Sequence, residues 1–210
     1  MSVTNPSSIL NVMRERRSVK KYEKGKQIPE QVMQEILELA AAAPSAWNLQ
    51  HWKFILIQDQ AMKDKVLPIA YNQQQVSDSS AVVVILADLE ANKNAEKIYS
   101  EAQAQGMISE EVKNTLIGQI EGAYANVPNI GIIEAFKNSS LAAMQLILAA
   151  KAHGIDSCAM GGFDQQGLKE LLNIPDRYSA SMLISLGYAA KEGYPSGRFS
   201  LDELVIRESF

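Results

Sequence analysis

Two short segments of the chain gather the side chains best suited to hold a charged ligand that also carries a ring. Between Arg14 and Lys26 stand seven basic residues and two acids, a local net of +5 in a chain whose formal net charge is −4. Arginine's planar fork binds a phosphate through two parallel hydrogen bonds, and Ser18 adds a hydroxyl donor. Extended chain would bring Arg16, Ser18 and Lys20 onto one face and turn Arg17 away or toward a ring. An isolated basic run is ordinarily a solvated loop, so the segment needs a companion to mean more. That companion is Pro44-Ser45-Ala46-Trp47-Asn48-Leu49-Gln50. Ser and Asn after a helix ordinarily serve as caps and turns. Asn48 and Gln50 nevertheless present both donor and acceptor, as does the edge of a polar heterocycle, and Asn72 and Gln75 offer more of the same. Gly161-Gly162 reads first as a turn, yet it also lets backbone N–H groups approach a flat ring, because no Cβ intervenes.

Other chemistries find less support. His51 and His153 are the only histidines and Cys158 the only cysteine, so no zinc site of standard spacing and no internal disulfide is expected. Cys158 lies in an apolar stretch without a nucleophile signature and reads as an inert core thiol. Neither G-x-G-x-x-G nor G-x-x-x-x-G-K-[ST] occurs. No aromatic interleaving or wider basic face accompanies the arginines, which argues against nucleic acid. The longest uninterrupted apolar run, Ala81 to Ala87, is seven residues, too short to span a bilayer. Asn, Pro and Ser at the start do not resemble a signal peptide, so a cytoplasmic location is expected. Asn138-Ser139-Ser140 matches a glycosylation sequon inside a helical pattern and is read as a chance match.

The elements that must position these groups can be laid out from periodicity. A first helix is expected from Pro6 and Ser7 through about Arg16, with Ile9, Leu10 and Met13 on its apolar face. A second starts at Pro29, with Val32, Ile36, Leu39, Ala40 and Ala43 on one face, and stops at Pro44. Residues 52–58 read as a strand, 59–70 as a helix and 71–75 as a polar loop. Ala81 to Ala87 reads as a strand buried on both faces. Residues 92–126 form a helical lobe, broken near Gly106 and Ser109. From Ile130 to His153 the pattern is a helix that becomes nearly apolar all round, which demands a core or a subunit interface. A short strand from Ile155 to Met160, a helix to about Leu172 and a strand from Ser181 to Tyr188 follow. Residues 1–210 therefore read as one α+β domain.

Taken together, the order and spacing of Arg-Arg-Ser-x-Lys, Ala-Pro-Ser-x-x-Asn-x-Gln-x-Trp, Met160-Gly161-Gly162-Phe163-Asp164 and Arg198 resemble the FMN-dependent nitroreductase family over nearly the whole chain. The resemblance implies a central mixed, mainly antiparallel sheet flanked by helices, in an intertwined homodimer. It assigns Arg16, Arg17, Ser18 and Lys20 to the FMN phosphate, ribityl chain and pyrimidine edge, with Arg198 closing on the phosphate. Asn72 and Gln75 would face the flavin, and Gly161 and Gly162 would lie near its N5. Pro44, Ser45, Ala46, Asn48 and Gln50 would come from the second subunit. The apolar helix would form the dimer core, and the tail at 199–210, including Leu204 to Ile206, would wrap the partner as an added edge strand.

The implied activity is hydride transfer from NAD(P)H to FMN, then reduction of a small electrophilic acceptor such as a nitroaromatic or quinone, in a ping-pong cycle without a catalytic side chain. Alternatives are an FMN-binding sensor and a flavin-dependent dehydrogenase or dehalogenase of the same fold. Three departures stand out. His51 replaces a usual proline, which implies a looser turn. Ser196 replaces a basic residue ahead of Arg198, and Gly161 replaces an acid found in some members.

Overall fold

The computed structural model describes residues 9–210. In chain order the elements are α1 (Ile9–Glu15), α2 (Glu30–Ala41), β1 (Trp52–Ile57), α3 (Gln60–Ile69), α4 (Gln75–Asp78), β2 (Ala81–Asp88), α5 (Ala95–Ala104), α6 (Glu110–Asn126), α7 (Ile130–Ala152), β3 (Asp156–Met160), α8 (Gln165–Leu172), β4 (Tyr178–Gly187) and α9 (Leu201–Leu204). Pro6 and Ser7, the expected start of the first helix, lie outside the described residues.

The four strands form one sheet in the order β1-β2-β4-β3. β2 explains why both faces are covered. All eight of its residues are buried, and they alternate between two cores. Val83 and Ile85 join Ile184 and Leu186 under α2 and α7, with Met33, Ile36 and Leu146. Val82, Val84 and Leu86 join Leu183 and Cys158 under α3 and α8, with Val66 and Leu168. Opposite faces of a period-two strand thus meet separate helix layers. A third cluster, Leu49, Ala91, Ala95, Tyr99 and Ile120, belongs to the lobe of α5 and α6.

Local chemistry sets the element ends. Asp59 accepts from Met62 N at 2.8 Å at the start of α3, and Ser109 accepts from Val112 N at 3.2 Å at the start of α6. Both are side-chain N-caps. The expected break in the lobe is therefore a helix end at Ala104 and a capped start at Glu110.

The sheet is mainly antiparallel, as expected: among the described residues every pair of strands is antiparallel, and the parallel element is one bridge, Ser18 with Ser157, where the charged segment meets β3 without becoming a strand. Three sequence expectations need correction. Gln75 opens α4 rather than ending a loop. β4 starts earlier than expected, at Tyr178, and a register shift between Ile85 and Leu86 absorbs Ser181. The tail contains one helical turn, Leu201–Leu204, before extended Val205. Ser200 and Glu203 form a capping box there, a signal overlooked in the sequence.

Among the described residues, α7 is not enclosed by its own chain. Ile132, Ile133, Leu141 and Met144 are 43–53% exposed, as are Ile9, Leu10 and Met13 of α1 at 57–60%. Among the described residues no helix is long and apolar enough to cross a membrane.

Candidate functional site

The basic segment leaves α1 as extended chain along β3. Val19 N donates to Ser157 O at 2.9 Å, and Glu23 N donates to Tyr188 O at 2.9 Å. Val19 and Tyr22 turn into the core, which leaves Ser18 and Lys20 exposed. Arg17 does turn away, for a reason the alternation did not contain. Its guanidinium donates to Arg14 O at 2.6 Å and Arg16 O at 2.8 Å. It thereby occupies the carbonyl end of α1, where cations are favoured. Arg198 is also held locally, donating to Ser196 Oγ at 2.9 Å and Gly197 O at 2.7 Å.

These arginines converge. Met13, Arg14, Arg16, Arg17, Met144, Leu148, Ser196 and Arg198 line a cavity of about 420 Å³. The sequence reading missed Arg14, which adds a fourth guanidinium. It also missed Gly193, where a Cβ would stand 2.5 Å from Arg17 Cβ and 2.9 Å from Ser18 O. Only a residue without a side chain lets the tail pass this close to the arginine segment on its way to Arg198.

β3 ends at a second open place. Gly161 and Gly162 are exposed. A Cβ on Gly161 would meet nothing within 4 Å, and one on Gly162 only Tyr71 Cδ2 at 4.0 Å. Gln73, another residue not anticipated, donates from Nε2 to Gly162 O at 2.8 Å. Asn72 is exposed beside it with a left-handed backbone, φ 55°. Gln75 sits behind this surface. It is 5% exposed and donates from Nε2 to Gln73 Oε1 at 3.2 Å and Met160 Sδ at 3.3 Å.

The segment from Pro44 to Gln50 is built differently. Trp47, Asn48 and Gln50 all have positive φ (49°, 54° and 50°), a conformation that costs a non-glycine residue roughly 1–3 kcal/mol. Inside the loop, Gln50 N donates to Ser45 Oγ at 2.9 Å. From outside, Asn138 Oδ1 accepts from Ala46 N at 2.8 Å, Tyr99 Oη donates to Trp47 O at 2.8 Å, and Asn94 Nδ2 donates to Leu49 O at 2.9 Å. Asn94 is braced in turn by Arg177, whose guanidinium holds buried Asp88 at 2.7 and 2.6 Å and Asn94 Oδ1 at 2.8 Å. Leu49 is wholly buried in the lobe, whereas Asn48 and Gln50 face outward.

The looser turn expected from His51 is absent. His51 O accepts from Asp88 N at 3.0 Å, and Trp52 N donates to Gln50 O at 2.7 Å. The imidazole is wholly buried, with Nε2 at 3.3 Å from Tyr124 Oη and, among the described residues, no hydrogen-bond partner for Nδ1. Burial lowers its pKa, although Glu134 and Asp88 oppose the shift. Burial likewise raises the Cys158 thiol, in keeping with an inert core residue. Asn138 of the sequon is 3% exposed, and its amide is bonded to Glu134 and Ala46, so it is not a surface acceptor.

Within one chain, the arginine cavity and the 44–50 loop are separate. Both touch α7, the loop through Asn138 and the cavity through Met144 and Leu148. Along that helix Asn138 lies six residues from Met144 and ten from Leu148, about 9 and 15 Å along its axis.

The family model for the Nitroreductase family matches residues 13–188. YodC of Bacillus subtilis, provisionally named an NAD(P)H nitroreductase, is 47% identical over 198 residues, covering 94% of this chain and 98% of its own length. A Thermus thermophilus protein named NADH dehydrogenase is 35% identical over 197 residues, 91% of each chain. A crystal structure from Exiguobacterium sibiricum, determined in complex with FMN, superposes with a TM-score of 0.91 at 34% identity, covering 99% of this chain and 100% of that one.

Proposed function

Because the chain belongs to the nitroreductase family of oxidoreductases, we propose that it binds FMN and works as an NAD(P)H-dependent reductase of small electrophilic acceptors, such as nitroaromatics or quinones, by a ping-pong cycle. The observation that carries the proposal is the convergence of Arg16 and Arg198, from opposite ends of the sequence, on one cavity of about 420 Å³ whose wall Arg17 also joins. The residues fit the cofactor's chemistry. Guanidinium forks suit a dianionic phosphate, and the open Gly161-Gly162 surface admits a flat ring without a Cβ in the way.

FMN, when bound, supplies the hydride acceptor and donor, which no side chain of the protein can replace. The chain's part is to bind and orient. Arg16 and Arg198 hold the phosphate, and Ser18 adds a hydroxyl donor. Arg17 is engaged with the end of α1 and secures the segment's exit from that helix. Lys20 places positive charge toward the pyrimidine edge, and Asn72 joins it from the loop beside Gly162. Gln75 supports that loop from behind through Gln73. The backbone at Gly161 and Gly162 lies along the ring. No side-chain acid is assigned, and solvent supplies protons to an open cleft. Cys158 and Tyr22 suit that role poorly, since burial raises the pKa of each.

The proposal includes a homodimer in which Pro44, Ser45, Ala46, Asn48 and Gln50 serve the partner's flavin. Three features support it. The loop is separated from the arginine cavity in its own chain. Among the described residues, nothing covers the exposed apolar residues of α1 and α7. β1 is a sheet edge among the described residues, while Val205 and Ile206 of the tail are exposed and Val205 is extended. An edge strand with unpaired backbone groups is a template for another chain's strand.

The deciding experiment is the visible spectrum of the purified protein, before and after anaerobic addition of NADPH and then NADH. A flavin spectrum that bleaches is expected. Flavin that stays oxidised with both nucleotides would favour the sensor instead. A colourless protein that FMN cannot reconstitute would overturn the proposal.

A further inference from the structure

Lobes such as α5 and α6 invite description as covers, but the contacts of this one run underneath the 44–50 loop. Trp47 and Gln50 are the costly members of its left-handed run, since asparagine adopts that conformation more readily. Bonds within the loop, Gln50 N to Ser45 Oγ at 2.9 Å and Gln50 Nε2 to Asn48 O at 3.1 Å, hold part of this run, and the rest of the hold comes from outside it. Trp47 O and Leu49 O, the carbonyls that alternate with the two outward side chains, end on Tyr99 Oη and Asn94 Nδ2 of the lobe. Leu49 and Trp47 pack with Tyr99, Ala95 and Ile120 in the lobe's own core. Tyr99 is 9% exposed, and burial raises its pKa, so its hydroxyl remains a donor at neutral pH.

We propose that Asn94 and Tyr99 are positioning residues for the flavin: by bonding the carbonyls of Leu49 and Trp47, they fix the backbone that aims Asn48 and Gln50 at the cofactor. The inference rests on the FMN reading above and assigns the lobe a role within that site. Without Tyr99 Oη, Trp47 O loses its partner, and the loop relaxes from φ values that few side chains favour. Asn48 and Gln50 then lose their fixed direction, while the folded chain around them persists.

The test uses full-length protein with Tyr99→Phe, which removes one oxygen and keeps the packed ring. Apoprotein is titrated with FMN, and the flavin midpoint potential is measured against a reference dye. Ser109→Ala is the control. It removes the α6 N-cap and weakens the same lobe without touching either carbonyl. Tyr99→Phe is expected to raise the FMN dissociation constant about three- to tenfold, the range for one lost hydrogen bond. It should also move the potential to a more negative value, as donors at the pyrimidine edge loosen. Ser109→Ala should lower the melting temperature with affinity and potential unchanged. Wild-type affinity and potential in Tyr99→Phe would overturn the proposal, as would equal shifts in both variants. A wild-type protein that takes up no FMN would overturn the cofactor reading itself, and the wild-type titration reveals that failure before any variant is compared.

Discussion

The two regions assigned to the cofactor are built on opposite principles. The arginine cavity is a concentration of charge on exposed chain, and two of its guanidiniums, Arg17 and Arg198, are occupied with nearby carbonyls and a hydroxyl. The 44–50 loop carries no charge, yet its backbone is held by groups from α5, from α7 and from Asn94 just ahead of α5. An anion supplies its own attraction over several ångströms and tolerates long, adjustable side chains. A hydrogen-bonding edge is satisfied only at fixed distance and angle, so its partners must be set beforehand. On the proposed reading, phosphate affinity resides in residue types, and ring recognition in backbone geometry.

The contrast can be broken most severely through the proposed dimer. Removing the residues after Asp202 is expected to abolish dimerisation and FMN retention together, as read by sedimentation and by bound flavin. A flavin-loaded monomer would show that one chain completes both regions. Next in size, Arg177→Met leaves Asp88, 1% exposed, without its ion partner. A loss of about 3 kcal/mol in unfolding free energy is expected, with FMN affinity falling alongside it because Asn94 is released. Stability lost with affinity intact would detach the loop from this network. Arg198→Ala, and separately Arg16→Ala, should then weaken FMN binding roughly 10- to 100-fold, the scale of one charged hydrogen bond. Here the melting temperature should hold, and full flavin occupancy in both variants would reject the phosphate assignment.

The smallest effect concerns acid. His51 faces Tyr124 and lies in the field of Glu134, Asp88 and Lys137. Its folded pKa lies below the ordinary value near 6.5, so the unfolded chain binds the proton more readily. Its contribution to stability is complete above pH 6.5 and is lost as the pH falls toward the folded value. His51→Gln should flatten the melting temperature between pH 7 and 5 relative to wild type. An unchanged profile would place the acid sensitivity elsewhere.

The legibility of the sequence followed the same division. β2 could be read because a continuous run of Val, Ile, Leu and Ala, too short for a membrane span, fits a strand covered on both faces. The arginines could be read because charge is visible without coordinates. α2 and the break before α6 were legible for similar reasons, through periodicity and its interruption near Gly106 and Ser109. The hold on the 44–50 loop was not legible. It depends on single polar residues at 94, 99 and 138, far along the chain and without any pattern marking them. The same holds for Arg17, whose direction was set by the end of α1 rather than by strand alternation. His51 departs from expectation most plainly: a change that suggested slackness is buried where the turn is tightest.

Asn138 carries one more consequence, for how the protein ages. Its amide donates to Glu134 Oε2 at 2.9 Å while its carbonyl oxygen receives Ala46 N. Deamidation would exchange that donor for a second carboxylate facing the first, and like charges at this distance repel. Storage damage at this one side chain would thus unfasten the start of the loop proposed to face the flavin while the sheet stayed folded, so that an aged, flavin-loaded preparation would shed its colour before losing its shape.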